Sequence, residues 1–265
     1  MAKKSKAKDT AKRGNLFIGT SGWSYEHWQN VFYPEDLSKK DRFAYFAGQF
    51  PTVELNATFY RLFPEKTFQN WAHKAPPKFL YAVKLWRWIT HRKRLKNIDE
   101  DLQAFLIRAL LLGDHLGPIL VQLPPGLHRN DELLKQFLHT LVKTRKSLKK
   151  KFRVTVEFRH RSWLDDGVLQ ILKDAGAALC LADMPRLKFP RETTCDFTYV
   201  RFHGRPQLYR SLYTEEQLAC WSDWLSGQLH AGHDVFAYFN NDFEARAVQN
   251  ARQFQQMLDK VKNAK

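Results

Sequence analysis

Eight short apolar runs recur along the chain: LFIGTSG (16–22), TVELNAT (52–58), FLYAVKL (79–85), GPILVQL (117–123), RVTVEFR (153–159), AALCLAD (177–183), FTYVRFHG (197–204) and DVFAYFNN (234–241). Segments with helical spacing fit between most of them, at 37–50, 65–74, 98–115, 130–147, 163–175, 214–231 and 242–262. Strands that alternate with helices build a parallel sheet covered by those helices. Eight such units close most simply into a (β/α)8 TIM barrel of the α/β class. The connection MPRLKFPRETTCD, after the sixth run, carries two prolines and little periodicity, so the sixth helix is expected to be short or missing. At 265 residues the chain matches one barrel of ~250 residues, which predicts a single domain over 15–265 behind a basic, disordered tail at 1–14.

Charge and apolar patterning narrow the function classes. No apolar run approaches the ~20 residues of a membrane span, and the first residues are lysine-rich without the apolar middle of a signal peptide. A cytoplasmic protein without a membrane partner is the expectation. Cys180, Cys195 and Cys220 form no CxxC pair, which argues against a disulfide framework or a zinc knuckle. The net charge is +16, of which residues 1–14 hold +5. Such an excess draws anionic partners, a small molecule or a nucleic acid, although a solubilising tail is an equal reading of composition alone.

In a TIM barrel the chemistry collects at the carboxyl ends of the strands. The stretch RVTVEFRHRSW (153–163) shows what that means here. Val154, Val156 and Phe158 alternate with Thr155, Glu157 and Arg159, so a carboxylate and a guanidinium share the inner side of a strand whose outer side is apolar. The same alternation gives an inward set of Thr20, Glu54, Asn56, Lys84, Gln122, Glu157, Arg159, Asp183, Arg201, His203 and Asn240 or Asn241, with Gln122 and Asp183 flanking Glu157. Three acids (Glu54, Glu157, Asp183) then meet three bases (Lys84, Arg159, Arg201). Such a set can be a working site or a self-neutralising ionic layer, and burying it is costly unless every charge is paired.

The loops above these ends are basic and aromatic. KLWRWITHRKRLK (84–96) contains no acid, and Arg201, Arg205 and Arg210 precede the next acid, Glu215. Arginine recognises phosphate through paired hydrogen bonds, so an anionic ligand is expected. KTRKSLKKKFR (143–153) precedes the fifth strand, maps to the opposite face and reads as a solvated helix end. Trp23, Tyr25, Trp28, Phe59, Tyr60, Trp86, Trp88, Trp163, Tyr209 and Tyr213 crowd the same rim as the polar set, suited to stacking on bases or sugars or to packing beneath loops. GTSG lacks the spacing of a dinucleotide or phosphate loop. The histidines show no metal-ligand spacing; the cofactor is unassigned, with a carboxylate-held Mg²⁺ or Mn²⁺ left open.

The ordered blocks IGTSGWSYEHW, FYP, VELNATFYR, WAHKAP, VKLWRWITH, GPILVQLPP, VEFRHRSW, YVRFHG and YFNND resemble the YecE-like proteins, the domain of unknown function seventy-two, across residues 16–258. The resemblance implies a TIM barrel related to the endonuclease IV and xylose isomerase-like group, and no particular reaction. Its motif positions fall on Glu54, Asn56, Tyr60, Lys84, Gln122, Glu157, Arg159, Trp163, Asp183, Arg201, His203, Gly204, Asn240 and Asn241. The first functional reading is an enzyme, a hydrolase or lyase, acting on a phosphate-bearing or nucleic-acid substrate. In it Glu157 is base or metal ligand, Arg159 and Arg201 hold phosphate, Lys84 stabilises negative charge and His203 donates a proton, with Glu54 and Asp183 as further catalytic candidates. A second is a non-enzymatic binder of nucleic acid or an anionic metabolite. A third is a carbohydrate-active hydrolase with Glu54 and Glu157 as its acid pair. The oligomeric state is not readable from these features.

Overall fold

The computed structural model describes residues 12–263. Eight parallel strands run through the described residues: β1 (Leu16–Thr20), β2 (Thr52–Leu55), β3 (Leu80–Lys84), β4 (Leu116–Gln122), β5 (Val154–Glu157), β6 (Ala178–Asp183), β7 (Phe197–Phe202) and β8 (Asp234–Phe239). Each pairs with the next in sequence from β2 to β8, and β8 returns to β1. The seam between β1 and β2 is bridged at Ser21 and Glu54, so the sheet is a nearly closed TIM barrel. The helices are α1 (Arg42–Ala47), α2 (Ala57–Tyr60), α3 (Glu65–Lys74), α4 (Asp99–Leu110), α5 (Asp131–Ser147), α6 (Asp166–Ala175), α7 (Glu215–His230) and α8 (Arg246–Asn263). None of them is long and apolar enough to cross a membrane.

Local sequence explains the boundaries. The Asn130 side chain caps α5 by accepting from Leu133 N–H, and Asp165 caps α6 by accepting from Gly167 N–H. Thr214 and Gln217 form a reciprocal capping box on α7. α6 stops at Gly176, whose φ of 61° is the left-handed conformation that costs glycine nothing. α1 is shorter than its periodic segment, because Ser38 and Asp41 spend the preceding residues in a turn. Between β6 and β7 the described chain is loop, as its two prolines predict. The tail expected at 1–14 lies outside the described residues for 1–11. Gly14 already belongs to the fold, donating its N–H to Leu229 O at 2.9 Å.

Period-2 alternation divides two cores. Outward residues such as Ile18, Val53, Val83, Val121, Val156 and Val200 join the helices in one large apolar layer. Inward residues Ala82, Leu120, Ala178, Cys180, Phe197, Tyr199, Phe236 and Tyr238 fill the barrel itself. Large aromatics on β7 and β8 face small residues on β3 and β6, the complement needed to fill a tapering interior. Phe17 and Phe236 stack at 4.8 Å, and Tyr238 shares a 2.8 Å hydrogen bond with Thr52 Oγ1.

The seam between β1 and β2 depends on Gly19, where an added Cβ would lie 2.1 Å from Thr52 O. Gly19→Ala therefore separates the two strands or displaces a buried carbonyl, and is expected to destabilise the fold by about 1–3 kcal/mol. A urea unfolding midpoint equal to wild type would overturn this account of the seam.

Candidate functional site

Above the aromatic filling, at the carboxyl ends of the strands, the inward residues become charged. Arg201 on β7 is the hub and is only 1% exposed. Its Nε and Nη2 donate to the two oxygens of Glu54 at 3.0 and 2.7 Å, and its Nη1 donates to Glu157 Oε2 at 2.7 Å. Glu54 also accepts from Ser21 Oγ and from Tyr199 Oη, both at 2.7 Å. Glu157 Oε1 takes His203 Nε2 at 2.9 Å and has Arg159 Nε at 2.7 Å, the latter an ionic contact off the hydrogen-bonding line. Asn240 Nδ2 donates to His203 Nδ1 at 3.0 Å. β4 and β5 are in register at Gln122 and Glu157, which sets Gln122 Oε1 3.5 Å from Arg159 Nη2.

Electrostatics follow from this packing. Burial pushes both glutamates up, but Arg201, joined by Arg159 at Glu157, outweighs it and holds both carboxyls below their usual range. Burial, then Arg159 and Arg201, push His203 down to about 3, so its imidazole is neutral. Glu54 and Glu157 are thereby balanced by Arg159 and Arg201, and Lys84 is the surplus charge. Its Nζ lies 4.2 Å from the centre of the Phe59 ring, and Lys84 joins no ion pair among the described residues. Burial first, and Arg201 next, push its amine down to about 7, against the pull of Glu54 and Glu157. Lys84 is 8% exposed and sits below His91, Arg87 and the exposed Tyr60, all grouped around Phe59. The side chain of Asn56, at the end of β2, leaves a buried Oδ1 without a partner.

The structure gathers Glu54, Lys84, Gln122, Glu157, Arg159, Arg201, His203 and Asn240 as the alternation predicts, and corrects four other placements. Asp183 does not flank Glu157: Cys180 and Ala182 face inward on β6, so Asp183 points outward with Phe202. There it accepts from the Trp221 indole at 2.7 Å, pairs with Arg205 and lines a side cavity of about 200 Å³ under the helix-free connection. On β1, Thr20 bonds Gly22 O, and Ser21 supplies the polar contact instead. Trp163 is buried behind β5, stacked on Phe158 with its indole on Leu127 O. Asn241 faces outward, tying Ser211 O to Asn250. Trp23 and Tyr25 are half-buried against the first loop's own aromatic cluster, Trp23 edge-on to Phe43 and Tyr25 on Trp28. Sequence reading passed over Ser21, Tyr199 and His91. Counting by twos from Phe17 reaches Ser21, and counting back two from Arg201 reaches Tyr199. Among the described residues no three His, Cys, Asp or Glu side chains converge on a position for a metal ion.

Residues 17–265 match the family model described as "Protein of unknown function DUF72". The chain belongs to the DUF72 family. It is similar to the UPF0759 protein YunF of Bacillus subtilis, with 28% identity over 92% of this chain and 95% of YunF. It is also similar to the UPF0759 protein YecE of Escherichia coli, 26% identical over 57% of this chain and 51% of YecE. A DUF72 family protein of Thermotoga maritima superposes with a TM-score of 0.81 at 30% identity, covering 92% of this chain and 99% of its own. The YecE-like resemblance and the TIM-barrel expectation are thus both confirmed.

Breaking the hub of this DUF72 barrel takes from buried Glu54 its one ion pair among the described residues and leaves Glu157 to Arg159 and His203, so Arg201→Met is expected to cost about 3–5 kcal/mol at pH 7. The pH dependence changes sign at Glu54. In wild type the glutamates bind protons less readily folded than unfolded, so stability is present above the ordinary glutamate range near 4.5 and is lost as pH falls below it. In the variant burial outweighs what remains at Glu54, the pull of Lys84 and the Tyr199 hydrogen bond, so that carboxyl binds protons more readily folded than unfolded and its contribution improves as pH falls, while Glu157 keeps Arg159 and the wild-type direction. Urea unfolding of both proteins across pH 3–8 checks the cost and the loss of Glu54's share of the acid-side slope; parallel slopes would count against the charge pairing described.

Proposed function

We propose that the carboxyl-end mouth of the barrel is the active site of an enzyme acting on a small phosphate- or carboxylate-bearing substrate, with Lys84 working as a neutral amine. The observation that carries this reading is Lys84 itself, a strand-end amine with slight solvent contact and no counter-ion among the described residues. A desolvated lysine beside other cations is a usual way to obtain an amine that is unprotonated near neutral pH. Such an amine can accept a proton from substrate or add to a carbonyl carbon. An incoming anion supplies the missing counter-charge, and Arg159, with 10% of its side chain exposed, presents a guanidinium at the mouth.

The remaining charges play supporting parts in this reading. Glu157 is committed to Arg159, Arg201 and His203, so it fixes cations and is not a free base. Arg201 spends its donors on the glutamates below the mouth and does not reach an external phosphate. His203, neutral and held at both nitrogens, orients Glu157 and does not donate as an imidazolium. Glu54 and Glu157 are bridged by one guanidinium, which leaves neither to act as the acid of a glycosidase pair. A small substrate is favoured over nucleic acid at this mouth because three of the rim cations are already engaged. Lys93 pairs with Asp101 at 2.5 Å, Arg94 donates to Gly126 O at 2.7 Å, and Arg205 pairs with Asp183.

The test is the reactivity of the full chain toward pyridoxal 5′-phosphate, a phosphate-bearing aldehyde, trapped with borohydride and mapped by mass spectrometry. Lys84 is expected to label roughly tenfold faster or more than exposed lysines at pH 7, since those are almost wholly protonated there. The rate should rise with pH around a midpoint near 7, slow in added inorganic phosphate, and lose its fast component in Lys84→Met. Labelling spread over surface lysines with no preference for Lys84 would overturn the proposal.

A further inference from the structure

The basic charge of the chain is concentrated in two short runs. Residues 1–14 carry +5 and residues 143–153 carry +7 of the total +16. The fold brings the ends of these distant runs together. Asp234, at the start of β8, accepts from Asn15 N–H at 2.7 Å through Oδ1 and from Arg153 Nη1 at 2.7 Å through Oδ2. One carboxylate therefore fastens the segment following Lys12 and Arg13 to the end of the 143–153 run, at the amino-terminal face of the barrel.

Helix electrostatics account for only part of this charge. Arg145 and Lys146 lie in the last turn of α5, where cations complement the helix dipole. Lys149, Lys150 and Lys151 lie beyond the helix, in the connection to β5. Lys143, Lys146, Lys149, Lys150 and Lys151 are all exposed, and none joins an ion pair among the described residues. The other rim is mixed: Lys93, Arg205 and Arg246 are paired, and Arg87, Arg92 and Lys96 join no ion pair among the described residues. Within the basic face opens a cavity of about 520 Å³ whose lining includes Arg145, Lys151, Arg153, Asp196, Phe197 and Phe236, three bases against one acid. Arg153 lies 5.3 Å from the Phe197 ring centre, and Arg145 keeps a buried Nε without a partner.

We propose that this amino-terminal face is a nucleic-acid-binding surface that reads the phosphodiester backbone, separate from the Lys84 mouth and independent of its chemistry. A row of unpaired lysines matches the repeating charge of a polynucleotide, and the cleft with cationic and aromatic walls suits a phosphate and its base. A lipid surface fits less well, because no large exposed apolar side chain falls among the described residues of either basic run to anchor in it.

The experiment is fluorescence anisotropy of the full chain with a labelled 20-nucleotide single strand and with the matching duplex, between 50 and 200 mM KCl, beside flotation on vesicles containing phosphatidylserine. Wild type is expected to bind the oligonucleotides, with the logarithm of affinity falling linearly with the logarithm of salt. K149A/K150A/K151A removes exposed charges only and should keep the wild-type melting temperature. It should bind about tenfold more weakly at 50 mM KCl, with a salt slope shallower by roughly 2–3. No binding of either oligonucleotide by wild type, an unchanged slope in the triple variant, or vesicle binding tighter than oligonucleotide binding would each overturn the proposal. None of these outcomes bears on Lys84, which is tested by its own labelling.

Discussion

A single guanidinium, that of Arg201, sets the terms for the upper half of this barrel. Its donors span Glu54 on β2 and Glu157 on β5, so it ties opposite walls across the axis. Two carboxylates at 0% exposure are tolerable only because each oxygen faces a donor or a cation, and Ser21, Tyr199, His203 and Arg159 complete that requirement. A buried ion pair of this kind is weak evidence for net stability, yet its geometry dictates what neighbouring groups can do. Once the glutamates are consumed by Arg201 and Arg159, a third cation has no anion left. Lys84 is that cation, and its basicity is depressed first by burial and then by the nearby charge of Arg201.

Much of this was legible before any coordinates, because strand alternation is a strict period of two and eight runs report it independently. The fold and the meeting of Glu54, Lys84, Glu157, Arg159, Arg201 and His203 follow from it, and the helix-free connection after β6 follows from its two prolines. Three of the errors have one physical origin, phase. In AALCLAD the last polar residue looked inward by analogy with the other strands. The pleat instead turns Ala178, Cys180 and Ala182 inward, small residues that make room for Arg201 and Tyr199, and leaves Asp183 outside with Leu179 and Leu181. The same one-residue slip separates Thr20 from Ser21 and Asn241 from Asn240. Trp163 is a different case: a large aromatic near a strand end is satisfied equally by a ligand or by a neighbouring phenylalanine, and only packing shows that Phe158 covers it.

Charge was harder to read than fold because a sequence gives its sum and not its pairing. The acid-free stretch at 84–96 looked like the more promising anion surface, yet two of its cations, Lys93 and Arg94, reach Asp101 and the Gly126 carbonyl from other segments. The stretch at 143–153 looked like an ordinary helix end, and it is there that the lysines stay unpaired. Long-range contacts decide which cations remain available to a partner, and those contacts lie outside any local window.

The filled interior of the barrel has a consequence for how such proteins diverge. Phe17, Phe236, Tyr199 and Tyr238 close the axis beneath the Arg201 network, so a molecule held at the proposed Lys84 site would rest on a solid floor. A site on such a floor has little wall of its own. Selectivity must be supplied by the loops standing around it, and two members of the family can share every strand residue while handling different molecules.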